Sequence, residues 1–248
     1  MLISWILLFS LLGSAGAIIT AGTFLLFKKK VQKILIPCLI AYATGTLLAT
    51  SLLGMIPNAI EKIPATYALG TVLIGIIFFF IIEKLVIWRH CHNINCEVHK
   101  KVTGPMILIG DAVHNFTDGI IIAASFLFSV PLGIAVGLSI IAHEIPQEVG
   151  DFGILLHSGY PKKKAFILNL LSSLSTLPGA ILAYYALVTV EMAIPYVMAI
   201  SAASFIYIAL ADLLPELHHK VTFRNSIRQF ILMLFGIFTI ILFLYLKP

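Results

Sequence analysis

Charge is scarce in this sequence. Asp, Glu, Lys and Arg make up 11% of the 248 residues, against about 25% in a soluble domain. Such a shortage excludes an ordinary soluble enzyme, a disordered chain and a coiled coil. Cysteine is scarce too: three thiols, an odd number, build no disulfide framework. Long polar stretches are lacking, so no separate soluble domain is expected. There is no short-period repeat and no low-complexity tract. A basic segment is missing ahead of Leu2 to Leu12, and the apolar run continues past Ala17 to Phe27. The beginning therefore reads as a membrane span rather than as a cleaved signal.

Apolar residues fill the space left by charge, at 60% of the chain and a mean hydropathy of +1.06. They fall into runs at about 1–27, 34–60, 67–88, 104–129, 132–157, 165–188, 194–217 and 229–246. Each is long enough to cross a hydrocarbon core of about 30 Å as a helix, and a helix satisfies its own backbone in lipid. The expected fold is an all-α membrane protein, a single polytopic bundle of eight transmembrane helices over residues 1–248. Of the 16 Lys and Arg residues, all but Lys62 and Lys247 fall in loops after spans 1, 3, 5 and 7. That asymmetry places those loops in the cytoplasm and both termini outside. The net charge of +5 and pI of about 9.1 thus report topology, and no nucleic-acid partner is expected. Membrane lipid is.

Spans 4, 5 and 7 hold seven of the eleven acidic residues: Asp111, Asp118, Glu144, Glu148, Asp151, Asp212 and Glu216. No Lys or Arg lies at comparable depth. An uncompensated charge at the bilayer centre costs about 2.5–3.5 kcal/mol or more, so another cation is needed: a proton or a metal ion. His114 and Asp118 in span 4 are four residues apart and share a helix face. His143 and Gln147 repeat that spacing in span 5. Four N/O ligands on two facing helices can surround one divalent metal. Asn115 and Glu144, each one residue along, can build a second site, with Asp118 or Gln147 bridging. Imidazole suits zinc and iron, and carboxylates and amides extend the range toward manganese. Pro146 frees the carbonyl of Ala142, and such broken helices mark transporter binding sites.

These segments resemble the ZIP family of zinc/iron-regulated divalent metal transporters. His114-Asn115-Phe116-Thr117-Asp118-Gly119 is similar to its fourth-helix motif HNFxDG. The run His143-Glu144-Ile145-Pro146-Gln147-Glu148-Val149-Gly150-Asp151-Phe152 is similar to its fifth-helix motif HEIPHExGDF. Ser204 to Glu216 resembles the seventh helix. The resemblance implies an inverted repeat, helices 1–3 mirrored by 6–8 around 4 and 5, and uptake toward the cytoplasm. It also implies a binuclear site and a homodimer. One metal takes His114, Asp118, His143 and Gln147; the second takes Asn115, Asp118, Glu144 and Gln147. Glu148 and Asp151 are placed lower, on the exit path. Gln147 stands where the motif has His, and a neutral amide relaxes zinc preference toward iron, manganese and cadmium. No prosthetic group is expected, because the metal is cargo.

Three further groupings are weighed. His90, Cys91, His92, Cys96 and His99 lie in the loop after span 3, where such density of thiolate and imidazole can bind zinc. Its alternative is a plain polar loop. Asp212 and Glu216, followed by His218 and His219, either guide metal out or simply meet solvent at the span's edge. Asn169, Ser172, Ser173, Ser175 and Thr176 in span 6 either pack helices closely or touch the pathway. The competing functions are an intramembrane zinc metalloprotease, since His143-Glu144 begins like HExxH, and a metal-sensing receptor without flux. Entry of metal must displace protons from His114 and His143. A cell membrane, the bacterial inner membrane first, is the expected location.

Overall fold

The computed structural model describes residues 2–24, 26–90, 98–218 and 222–245. Among them, eight helices are long and apolar enough to cross a membrane, and no strand occurs. They are α1 (Leu2–Phe24), α2 (Lys29–Lys62), α3 (Ala65–His90), α4 (Val98–Phe128), α5 (Val130–His157), α6 (Lys162–Thr189), α7 (Glu191–His218) and α8 (Phe223–Tyr245). The protein is a multi-pass membrane protein.

Several helices run further than their apolar stretches. Helix α2 starts at Lys29 rather than near 34, and α8 at Phe223 rather than near 229. Lysine and arginine stems are apolar and let the charged head reach water from inside the first turn, so charge marks the membrane edge without ending the helix. The same holds for α3 and α4, which narrow the loop after span 3.

Packing follows a pairwise exchange. Helix α2 packs on α8 and α7 on α3; α4 packs on α6 and α5 on α1. Exchanging α1–α3 with α6–α8, and α4 with α5, converts each pair into its counterpart. Consecutive spans alternate in direction, so exchanged helices run oppositely, and the bundle is an inverted repeat. Helices α2 and α7 also share a local device. Thr50–Met55 and Ile208–Leu213 are π-helical, and each ends two residues before a proline, Pro57 and Pro215. Proline cannot donate to the carbonyl four residues earlier, Leu53 or Ala211, and the backbone takes the wider ring instead.

Helix α4 lies very close to α6. A Cβ on Gly119 would strike the backbone of Thr176 and Ala180, and one on Gly179 the backbone of Phe116. Two glycines facing opposite backbones let the helices touch main chain to main chain. That contact brings the polar face of α6 against the polar face of α4.

The largest hydrophobic cluster fills one end of the bundle. Ile6, Phe9, Met55, Phe126, Leu132 and Met198 are all buried there, at the starts of the odd helices and the ends of the even ones. The opposite end carries Lys28–Lys30 and Lys162–Lys164 and is open. A cavity of about 750 Å³ penetrates from it, lined by Ile36, Ile107, Ile154 and Glu216 near its mouth.

Candidate metal centre

Helix α5 is 28 residues long, and His143 sits near its middle, about 20 Å from either end. Imidazole Nε2 of His143 lies 3.3 Å from Nε2 of His114 across the α4–α5 interface. Asp118 Oδ2 is 3.7 Å from His114 Nε2 and 3.4 Å from His143 Nε2. Glu144 Oε1 is 3.3 Å and 3.7 Å from the same two nitrogens. One atom from each of these four residues thus falls within 4.8 Å of the others. Asp118, His143 and Glu144 are buried, and His114 keeps 22% of its side chain exposed, on the cavity wall.

The ring of His143 is fixed from behind. Its Nδ1 lies 2.9 Å from the carbonyl oxygen of Ser139, so an Nδ1–H donates there and Nε2 keeps its lone pair for the pocket. Phe205 of α7 stacks edge-on against the same ring at 6.0 Å. Ser139 is itself held, by a 2.6 Å hydrogen bond to Thr50 of α2.

The carboxylates fall into two kinds. Asp111 is saturated: Ser172 donates to Oδ2, and Asn115 and Gln147 donate to Oδ1 at 2.9 and 3.4 Å. By contrast, both oxygens of Asp118 and both of Glu144 are buried without a hydrogen bond among the described residues. Glu148 is intermediate, since Asn169 donates to Oε2 while Oε1 has no partner there. Buried polar atoms are nearly always satisfied, so the unpaired oxygens mark where positive charge belongs. A second group, Asp111, Glu144 and Glu148, also lies within 4.8 Å and shares Glu144 with the first.

Among the His, Cys, Asp and Glu side chains described, the one that joins His114, Asp118 and His143 within 4.8 Å is Glu144. The amide nitrogens of Asn115 and Gln147 donate to Asp111, and the Asn115 carbonyl oxygen accepts from Thr176 at 2.9 Å and Ser173 at 3.4 Å. Glu148 lies in the second group. Asp151, Asp212 and Glu216 line the cavity. Cys91, His92 and Cys96 lie outside the described residues, as do the side chains of His90 and His99. His219 also lies outside them, while His218 is exposed at the end of α7.

Two features were missed by spacing alone. Asp111 continues the stripe of His114, Asn115 and Asp118 at helical intervals, which was the available signal. Helix α6 supplies the third wall, with Asn169, Ser172, Ser173 and Thr176 all bonded to groups of α4 or α5. Of its two readings, contact with the polar path and close packing, the structure combines both.

The family model described as "ZIP Zinc transporter" matches residues 89–244, more than half of the chain. The chain belongs to the ZIP family. Among curated ZIP relatives, "Zinc transporter ZIP13" of Pongo abelii is 32% identical over 223 residues, covering 83% of this chain and 66% of that protein. "Zinc transporter zipt-7.2" of Caenorhabditis elegans is 37% identical over 142 residues, or 56% of this chain and 31% of the relative. "Zinc transporter ZIP4" of Homo sapiens is 41% identical over 112 residues, or 45% of this chain and 17% of the relative. The chain therefore spans two thirds or less of these ZIP proteins.

Proposed function

We propose that this protein carries divalent metal ions, zinc first, through the membrane by way of the pocket between α4 and α5. The observation that carries this reading is the contrast between carboxylates. Asp111 has three protein donors, whereas Asp118 and Glu144 face two imidazoles with their oxygens unpaired. Two imidazole nitrogens and two carboxylate oxygens make a donor set suited to zinc and open to iron, manganese and cadmium. The names of the relatives, all zinc transporters, support the same cargo.

In this reading the first ion is held by His114, Asp118, His143 and Glu144. A second sits among Asp111, Glu144 and Glu148, with Glu144 bridging. Asp151, Asp212 and Glu216 conduct the ion along the cavity. Direction is toward the cytoplasm, supported by a cavity that opens at the lysine-rich end while an apolar core closes the other. We read the protein as a homodimer in a cell membrane and as a carrier rather than an enzyme. A metalloprotease would need the fifth residue of HExxH as a ligand, and here Gln147 is engaged with Asp111.

The test is metal flux into proteoliposomes, run with zinc, iron, manganese and cadmium. Asp118→Ala and His143→Ala are expected to lower zinc flux by more than about tenfold, as loss of even supporting groups costs 10–100-fold in metal affinity. Normal flux in both variants would reject the site. Gln147, one turn along α5 from His143, flanks the quartet and joins it as a selectivity ligand, so Gln147→His is expected to shift the competition profile toward zinc; an unchanged profile would reject its part in selectivity.

A further inference from the structure

A second concave surface lies at the lysine-rich end, outside the polar path. It is a groove of about 680 Å³ between the end of α1, the end of α5 and the start of α6. Ile19, Phe152 and Phe166 form its apolar walls, and Lys29, Lys162 and Lys163 stand around it. Gly22 lets the Phe166 ring pack close against α1, since a Cβ there would meet the ring at 3.3 Å. No acidic side chain lines it among the described residues. The three ammonium groups also differ from those of Lys62, Lys84 and Lys164, which lie over aromatic rings.

An apolar trench ending in a cluster of cations matches one kind of molecule in a membrane. Acyl chains fill the trench at the edge of the hydrocarbon, and a phosphodiester meets the ammonium groups at headgroup level. A zwitterionic headgroup brings its own cation to the same lysines, so the charge favours an anionic one. We propose that this groove binds one anionic phospholipid, its phosphate held between Lys29, Lys162 and Lys163 and its chain against Phe152 and Phe166. The groove backs onto the polar path. Phe152 lies one turn after Glu148, and Phe166 nearly one turn before Asn169, whose amide donates to the Glu148 carboxylate. A lipid seated there braces the α5–α6 contact from the outside.

The test uses the full chain in a neutral detergent, titrated with short-chain phosphatidylglycerol or phosphatidylcholine and read by native mass spectrometry and thermal melting. Retention of one phosphatidylglycerol and a rise in melting temperature are expected, with neither for phosphatidylcholine. The triple variant Lys29→Gln/Lys162→Gln/Lys163→Gln should weaken binding on the order of 100-fold, each lysine near an anionic headgroup being worth about a factor of five. Thr23→Trp, which fills the groove without changing charge, should also abolish retention. The control Lys28→Gln/Lys30→Gln/Lys33→Gln should bind like the parent. Equal losses in the two triple variants would overturn the proposal in favour of a diffuse basic rim. Equal retention of both lipids would overturn it, as would full competition by inorganic phosphate.

Discussion

His114 and His143, from neighbouring helices, point their Nε2 atoms at each other across 3.3 Å. Two lone pairs do not meet at that distance: either one nitrogen donates its N–H to the other, or a cation is held between or beside them. Two unpaired carboxylates, Asp118 and Glu144, lie within 3.7 Å of the same nitrogens. Together they form one of two groups of His, Asp and Glu ligand atoms within 4.8 Å of one another among the described residues.

Zinc should therefore stabilise the folded protein strongly. At a concentration 1,000 times its dissociation constant, the gain is about 4 kcal/mol. For a chain of this size that corresponds to a rise on the order of 10 °C in melting temperature. Asp118→Asn should remove most of that rise. Thermal melting with and without zinc measures it, and an undiminished rise in Asp118→Asn would place the ion elsewhere.

Asn169 should matter through Glu148 alone. Asn169→Leu strips the buried Glu148 carboxylate of the donor to its Oε2, a cost of about 1–3 kcal/mol. Replacing both residues by Leu removes the stranded charge together with its donor. The double variant is expected to be more stable than Asn169→Leu by itself. Chemical or thermal unfolding of the four members of the cycle decides it.

The α4–α6 contact predicts opposite outcomes at two glycines of one helix. Gly119→Leu drives a side chain into the main chain of α6 and should abolish the folded, monodisperse species. Gly110→Leu meets nothing within 4 Å and should leave it intact. Size-exclusion elution of the two variants reads the difference. Equal behaviour would mean that α6 does not sit where described.

Access to the cavity can be read chemically. In a chain carrying Cys38→Ser/Cys91→Ser/Cys96→Ser, a cysteine placed at Asp151 or Asp212 should react with a membrane-impermeant maleimide. It should do so from the lysine-rich face only. Modification from the opposite face would contradict the closed apolar end formed around Phe9, Phe126 and Met198.

Much of this arrangement was legible in the sequence, and the parts that were not share a cause. Span number, all-helical class and the two polar stripes follow from hydropathy and from intervals of three and four residues. Those intervals assign residues to a face but leave the rotation of the helix open. Gln147 lies on the face of His143 and Glu144 one step round from it. The rotation that α5 adopts brings Glu144 within 4.8 Å of the ligand atoms of His114, Asp118 and His143 and lets the Gln147 amide nitrogen donate to Asp111. Asp111 was visible as a buried charge, yet its neighbours on α6 are some sixty residues away. Only the glycine-mediated contact of Gly119 and Gly179 brings them there. The apolar runs from about 34 and 229 mark membrane spans, while helices α2 and α8 begin earlier, at Lys29 and Phe223, because lysine and arginine stems let a charged first turn reach water.

The paired π-turns of α2 and α7 carry a consequence for motion. Each holds its chain in a loop one residue too wide, ahead of a proline that prevents tightening. Slack of this kind lets the half-helix beyond it swivel while hydrogen bonding above and below stays intact. Thr50, at one such joint, is tied to Ser139 behind His143, and Asp212, at the other, faces the cavity. The two joints therefore flank the α4–α5 pocket, one behind the His143 imidazole and one on the cavity wall, where a small twist would reshape the cavity without unwinding a helix.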